Sequence, residues 1–148
     1  MFEIELKNPN EMGIRTKDRA INVNVAQSTI EAGLMVGTIR GAGEFEIGEA
    51  TISGVATRAG GVMYRIEIGD VALGVVGQEV KNEDLDELGS IDILGTSTVA
   101  AVGVVEPKIV IPMGNVDFAE LKASVKVEKR LKVKNAAALP AIMEIYRL

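Results

Sequence analysis

Along most of its length the chain alternates apolar and polar residues with a period of two, and this pattern constrains the fold more than any other feature. FEIELK places Phe2, Ile4 and Leu6 on one side, and AINVNV sets Ile21, Val23 and Val25 against Asn22 and Asn24. Further along, Phe45 and Ile47 oppose Glu44, Glu46 and Gly48, and Tyr64, Ile66 and Ile68 oppose Arg65 and Glu67. Successive side chains of a strand point to opposite faces, so each such segment reads as a strand with one face to hide. A Gly69-Asp70 pair then separates this run from Val71, Leu73 and Val75, a good signal for a two-residue hairpin. From residue 124 to 134 alternation returns, with Val125, Val127, Leu131 and Val133 expected inward and Lys126, Arg130, Lys132 and Lys134 outward. Lys129 interrupts that register, as a bulge or an edge would. Half-buried strands must be stacked as two sheets, face to face.

Other segments supply the connections. KIVIPM within EPKIVIPMGN reads as a strand buried on both faces that ends in a turn, and SIDILGT as a short strand. NPNEMG has the residues of a turn, so the first two strands are expected to form a hairpin or meander. NEDLDELG is the clearest helix, with Asn82 as N-cap, acidic residues in the first turn and Gly89 to stop it. AQSTIEAG is expected to make one helical turn ending at Gly33, followed by a strand in LMVGTI; VDFAELKA is a second short helix, and LPAIMEIYRL closes the fold as a strand. The expectation is roughly ten short strands with two or three short helices, without linkers or short-period repeats.

At 148 residues and 47% hydrophobic content the chain fits one domain spanning 1–148, with enough apolar side chains for one core. Aromatic residues are only 3%, so that core is built from Val, Ile, Leu, Ala and Met. There is no cysteine, which removes disulfides, thiolate nucleophiles and iron–sulfur clusters, and no histidine, the commonest transition-metal ligand and general base near neutral pH. A net charge of −5 opposes nucleic acid and anionic membranes by bulk electrostatics. Nothing reads as a signal peptide, and STVAAVGVV (97–105) is too short to cross a bilayer, so a soluble cytoplasmic protein is expected.

The ordered series GAGEFEIGEATISGV, YRIEIGDVALGVVGQ, NEDLDELGSIDILGT, EPKIVIPMG and LKVKNAAALPAIMEIYRL resembles the successive blocks of metallo-β-lactamase-fold proteins, specifically the small bacterial Zn-dependent hydrolase-like group. The likeness runs from Gly41 to Leu148. It implies an α+β, β-rich fold: a two-sheet β-sandwich derived from the metallo-β-lactamase αββα arrangement, truncated and with its helices reduced. In that family a His-x-His-x-Asp-His loop supplies most zinc ligands, and the segment between Val25 and Gly41 is too short to hold it. The family's bridging Asp falls at Gln78 and its last His, in Ile-Pro-Met-His, at Gly114. Only STVAAVGVV stands where the family has a core helix, which implies that this helix is removed and a sheet face left uncovered. Zinc needs three or four N, S or carboxylate ligands at about 2.0–2.3 Å to generate a hydroxide. Gln78 and Gly114 are therefore vestigial ligand positions, and no cofactor is expected.

The remaining features each admit a functional and a structural reading. Gly41-Ala42-Gly43 precedes a strand rather than a helix, so it is read as a turn and not as a phosphate cradle. Glu44 and Glu46 can pair as acid and base or hold a hard cation, against the simpler reading of a solvated strand face. Asn115 and Asp117 can contribute to a weak Mg²⁺ or Ca²⁺ site, though two donors fall short of six. Lys126, Arg130, Lys132 and Lys134 can meet an anion or nucleic acid, or simply guard an edge. The sequence reading is a non-catalytic pseudoenzyme acting in binding or assembly, as a homo-oligomer or a subunit of a larger complex. Its alternatives are a carboxylate-based metal-dependent hydrolase of the phosphodiesterase or lactonase type, and a nucleic-acid or anion-binding module on the 126–134 basic strand.

Overall fold

The computed structural model describes residues 1–33, 39–77 and 80–148. Two sheets face one another. The first contains β1 (Phe2–Asn8), β2 (Glu11–Arg15), β3 (Ala20–Asn24), β4 (Thr29–Ala32) and β5 (Ile39–Arg40), an antiparallel meander that β13 (Leu131–Val133) extends on the β1 side. The second has eight strands. β6 (Gly43–Ile47), β7 (Ala50–Ala56), β8 (Val62–Ile68) and β9 (Val71–Val76) form its antiparallel half. β10 (Ile93–Thr96), β11 (Ile109–Pro112), β14 (Glu144–Arg147) and β12 (Ser124–Val127) continue it from β9 in parallel, in that spatial order.

The inward faces meet in one apolar core containing Ile4, Met12, Ile14, Ile21, Val23, Ile52, Tyr64, Ile66, Leu73 and Ile111. This is the layer that the alternation predicts. A second core lies on the opposite face of the eight-stranded sheet, where α1 (Asn82–Asp86) and α2 (Val99–Val105) cover it together with Phe118. Parallel strands need a crossover connection, and these two helices are the crossovers from β9 to β10 and from β10 to β11. Covered on both faces, β9, β10 and β11 are buried at every residue and read as continuous apolar runs.

Several expectations need correction. STVAAVGVV does contain a helix, α2, which packs on α1 and β10; helix cover is reduced but present on this sheet. The face of the six-stranded sheet that no helix covers among the described residues is not apolar: it carries Glu3, Glu5, Lys7, Arg15 and Asn22. The segment after Pro9 holds a strand of its own, β2, so the opening meander has one strand more than expected. AQSTIEAG makes a turn and β4 rather than a helical turn, because Ile30 fits the buried face opposite Val23. Of LMVGTI, residues 34–38 lie outside the described residues. α1 begins at Asn82, with Lys81 at the cap position, where its N–H donates to Asp84 Oδ2 at 3.0 Å. VDFAELKA tightens into a single 3-10 turn, Ala119–Leu121.

The largest correction concerns 124–134. It is not one strand but two, β12 in the eight-stranded sheet and β13 in the six-stranded one, joined by a turn that crosses between layers. Leu131 and Val133 are buried as expected, whereas Val125 and Val127 are 51% and 78% exposed. The Gly69-Asp70 hairpin forms as expected, with Ile68 opposite Val71.

Candidate functional site

The ends of the parallel strands open into a large concavity, in keeping with the general tendency of α/β sheets to bind ligands beyond their carboxyl ends. β9 runs out into Gly77, β10 into Ser97, and β11 into Met113, Gly114 and Asn115; all five line a cleft of about 580 Å³. The facing sheet contributes Pro9 and Asn10 from the turn after β1, and Val25, Ala26 and Ser28 from the turn after β3. Thr57, Ala59, Gly60 and Gly61, in the loop between β7 and β8, close a third side.

That loop is fixed from behind. The Asp84 carboxylate, almost fully buried, accepts from the Arg58 N–H at 3.2 Å and from Arg58 Nη1 at 2.7 Å as well as from Lys81. The Lys81 backbone donor, and then the Arg58 donors, hold its pKa below the ordinary carboxylate range despite burial. Thr57 Oγ1 accepts from the Gly61 N–H at 3.0 Å, which closes the loop on itself.

The chemistry of the lining is its main property. None of the described lining residues carries a charge; the polar side chains are amides and hydroxyls, from Asn10, Asn115, Ser28, Ser97 and Thr57. Such neutral oxygens are poor ligands for zinc, which takes imidazole, thiolate and carboxylate. Among the described residues no three Asp or Glu gather as a metal site, and the chain has no His or Cys to join them. The fold's zinc does not fit the donors that this cleft presents.

Gly114 lies in the cleft wall at φ +80°, and a Cβ built there would meet only Pro9 Cβ, at 4.0 Å. There is room for a side chain, but the backbone conformation favours glycine. Gln78 lies outside the described residues, directly after the cleft residue Gly77. Asn115 lines the cleft, but Asp117 does not join it: its Oδ1 accepts from the Ala119 N–H at 2.8 Å and shapes the 3-10 turn. Glu44 and Glu46 are exposed side by side on β6, away from the cleft.

The four basic residues are divided between the two sheets. Lys126 Nζ lies 3.0 Å from Glu144 and 5.6 Å from the Tyr146 ring centroid. Its pKa is raised and that of Glu144 lowered by their contact. Arg130 reaches Glu5 at 3.2 Å and Glu3 at 3.7 Å, and Lys132 is opposite Glu3 on β1. Lys134 follows β13 and is exposed. What sequence reasoning missed was the cleft lining itself. The available signal was the small or polar residue that ends each of three consecutive apolar strands, Gly77, Ser97 and Gly114.

No protein-family profile matches the chain. No curated protein matches it either. Among solved structures, the chain resembles a metallo-beta-lactamase-superfamily protein of Thermotoga maritima, named as a candidate Zn-dependent hydrolase, with a TM-score of 0.74 at 15% identity over 100% of both chains. This likeness establishes the metallo-β-lactamase-like fold, with reduced helices: among the described residues the α-helices are α1 and α2. No helix among the described residues is long and apolar enough to cross a membrane.

Proposed function

We propose that this chain is a non-catalytic protein of metallo-β-lactamase-like fold, serving as a binding or assembly subunit. One observation carries the reading: among the described residues, those lining the cleft at the carboxyl ends of β9, β10 and β11 are all uncharged. A hydrolytic zinc site works by lowering the pKa of a bound water toward about 7, and that requires ligands which keep the ion in place. Amide and hydroxyl side chains suit a neutral ligand or a protein surface better, because they hydrogen-bond without demanding a counter-charge.

The test is elemental analysis of protein purified without chelators, followed by phosphodiesterase and lactonase assays with added Zn²⁺, Mn²⁺ and Mg²⁺. Substoichiometric metal and no turnover above the metal-only rate are expected. Stoichiometric zinc retained through gel filtration, or metal-dependent turnover lost on mutating a cleft residue, overturns the proposal.

A further inference from the structure

We propose that β12 is a self-complementary edge through which two copies of this chain pair antiparallel, joining their eight-stranded sheets across a two-fold axis. The inference deepens the assembly reading above and rests on it. β12 is a terminal strand of the sheet, paired on one side only, with β14. Among the described strand residues, large apolar side chains are exposed on β12 alone: Val125 at 51% and Val127 at 78%. α1 and α2, with Phe118 and Leu121, cover this face of the sheet, and Val125 and Val127 stay exposed beyond that cover.

Register fixes what the free edge offers. The Glu128 N–H donates to the Arg147 carbonyl at 3.0 Å, continuing the ladder with β14. Backbone groups of a strand alternate sides, so those of Ser124 and Lys126 also face β14, and those of Val125 and Val127 face outward. Val125 is level with Ile145, whose side chain lies in the helix-covered core, and Lys126 is level with Tyr146, which packs toward the other. The two valines therefore share one face, and their main-chain donors and acceptors share the open edge.

An antiparallel copy centred on Lys126 satisfies all of these groups together. Val125 stands opposite Val127 of the second copy, and Val127 opposite its Val125, each as a hydrogen-bonded pair with the valines adjacent on the same face. On the other face the two Lys126 side chains stand directly opposite one another, a like-charge pair whose cost the acidic Glu144 beside each ammonium, and Glu128 of the second copy on the diagonal, reduce. A lysine at an edge ordinarily deters pairing, but here its ammonium is drawn back onto Glu144 and Tyr146. The segment SVKVE is thus complementary to itself when reversed, the requirement of an isologous interface. The opposite edge, β6, is a poorer partner for a copy of itself, because Glu44 and Glu46 would bring four carboxylates together.

Sedimentation equilibrium on the full chain, across a concentration series, measures the association. Val125→Lys/Val127→Lys, which alters only exposed side chains, should raise the midpoint concentration at least about tenfold through two lost apolar pairs and opposed like charges. Val127→Pro removes an outward N–H that β14 does not use and should have the same effect. Because the chain has no cysteine, Lys126→Cys adds a single thiol. Under mild oxidation it should form a disulfide dimer, since residues 126 of the two copies face each other as a non-hydrogen-bonded pair with Cα atoms about 4.5 Å apart. Three results overturn the inference: a monomer at the highest soluble concentration, association that the valine variants leave unchanged, or association lost only in Glu44→Lys/Glu46→Lys, which would place the contact at β6. A metal-free monomer would sink edge pairing and leave the non-catalytic reading standing; a zinc-loaded dimer would do the reverse.

Discussion

Tyr64 provides a test of the packing between the sheets. Its side chain has 0% exposure in the central core, and its hydroxyl oxygen has no hydrogen-bond partner among the described residues. A hydroxyl taken out of water without a partner costs about 1–3 kcal/mol by mutational measures. Tyr64→Phe keeps the ring and removes that group, leaving a void no larger than one oxygen, which at about 24 cal/mol per Å³ returns only a few tenths of a kcal/mol. The variant should therefore be more stable by about 1 kcal/mol, a rise in Tm of about 2–4 °C for a chain of this length. A second readout comes from pH. Burial pushes the phenol up to about 12, so from about pH 10 the unfolded chain releases its proton while the folded chain does not. Wild-type stability should fall between about pH 10 and 12 by an increment that Tyr64→Phe lacks. Urea unfolding at pH 7 and across the alkaline range measures both effects. A variant destabilised by more than about 1 kcal/mol at pH 7 would refute the argument, since it would mean that the hydroxyl has a partner.

Two further substitutions probe the cleft. Asp84→Asn should loosen the loop holding Gly60 and Gly61, seen as faster amide hydrogen exchange there. Because the Asp84 pKa is lowered on folding, its contribution is present above the unfolded value of about 3.9 and lost as pH falls through the folded one; acid unfolding should be shallower in the variant. Gly114→His fits the open space but strains a backbone at φ +80°, so Tm should drop by the equivalent of about 1–2 kcal/mol. It should still bind no zinc by calorimetry, because one imidazole finds no partners among amides and hydroxyls; tight binding would reveal donors that the cleft as described lacks.

The chain's own pattern reveals the layers well and their boundaries less so. Phe2, Ile4, Ile21, Val23, Ile66 and Leu73 are core residues in the sequence and in the structure, because a half-buried strand shows its inner face through alternation. α2 is the counter-example. Val99–Val105 carries a glycine and no charge, and only its position between two parallel strands makes it a crossover helix. The cleft was less legible still, since its lining is gathered from six segments whose proximity depends on the sheets stacking.

Composition alone determined that no imidazole or thiolate can act anywhere in this protein, and alternation alone determined that it must stack sheets; both follow from side-chain identity and local geometry. Tertiary structure decided which strand each segment joins. The 124–134 run alternates on both sides of Lys129, and its pattern does not assign the two halves to different sheets, yet Leu131 and Val133 enter a core while Val125 and Val127 stand at an open edge. Burial of a strand depends on what lies across and above it, and those neighbours come from residues far away in the chain.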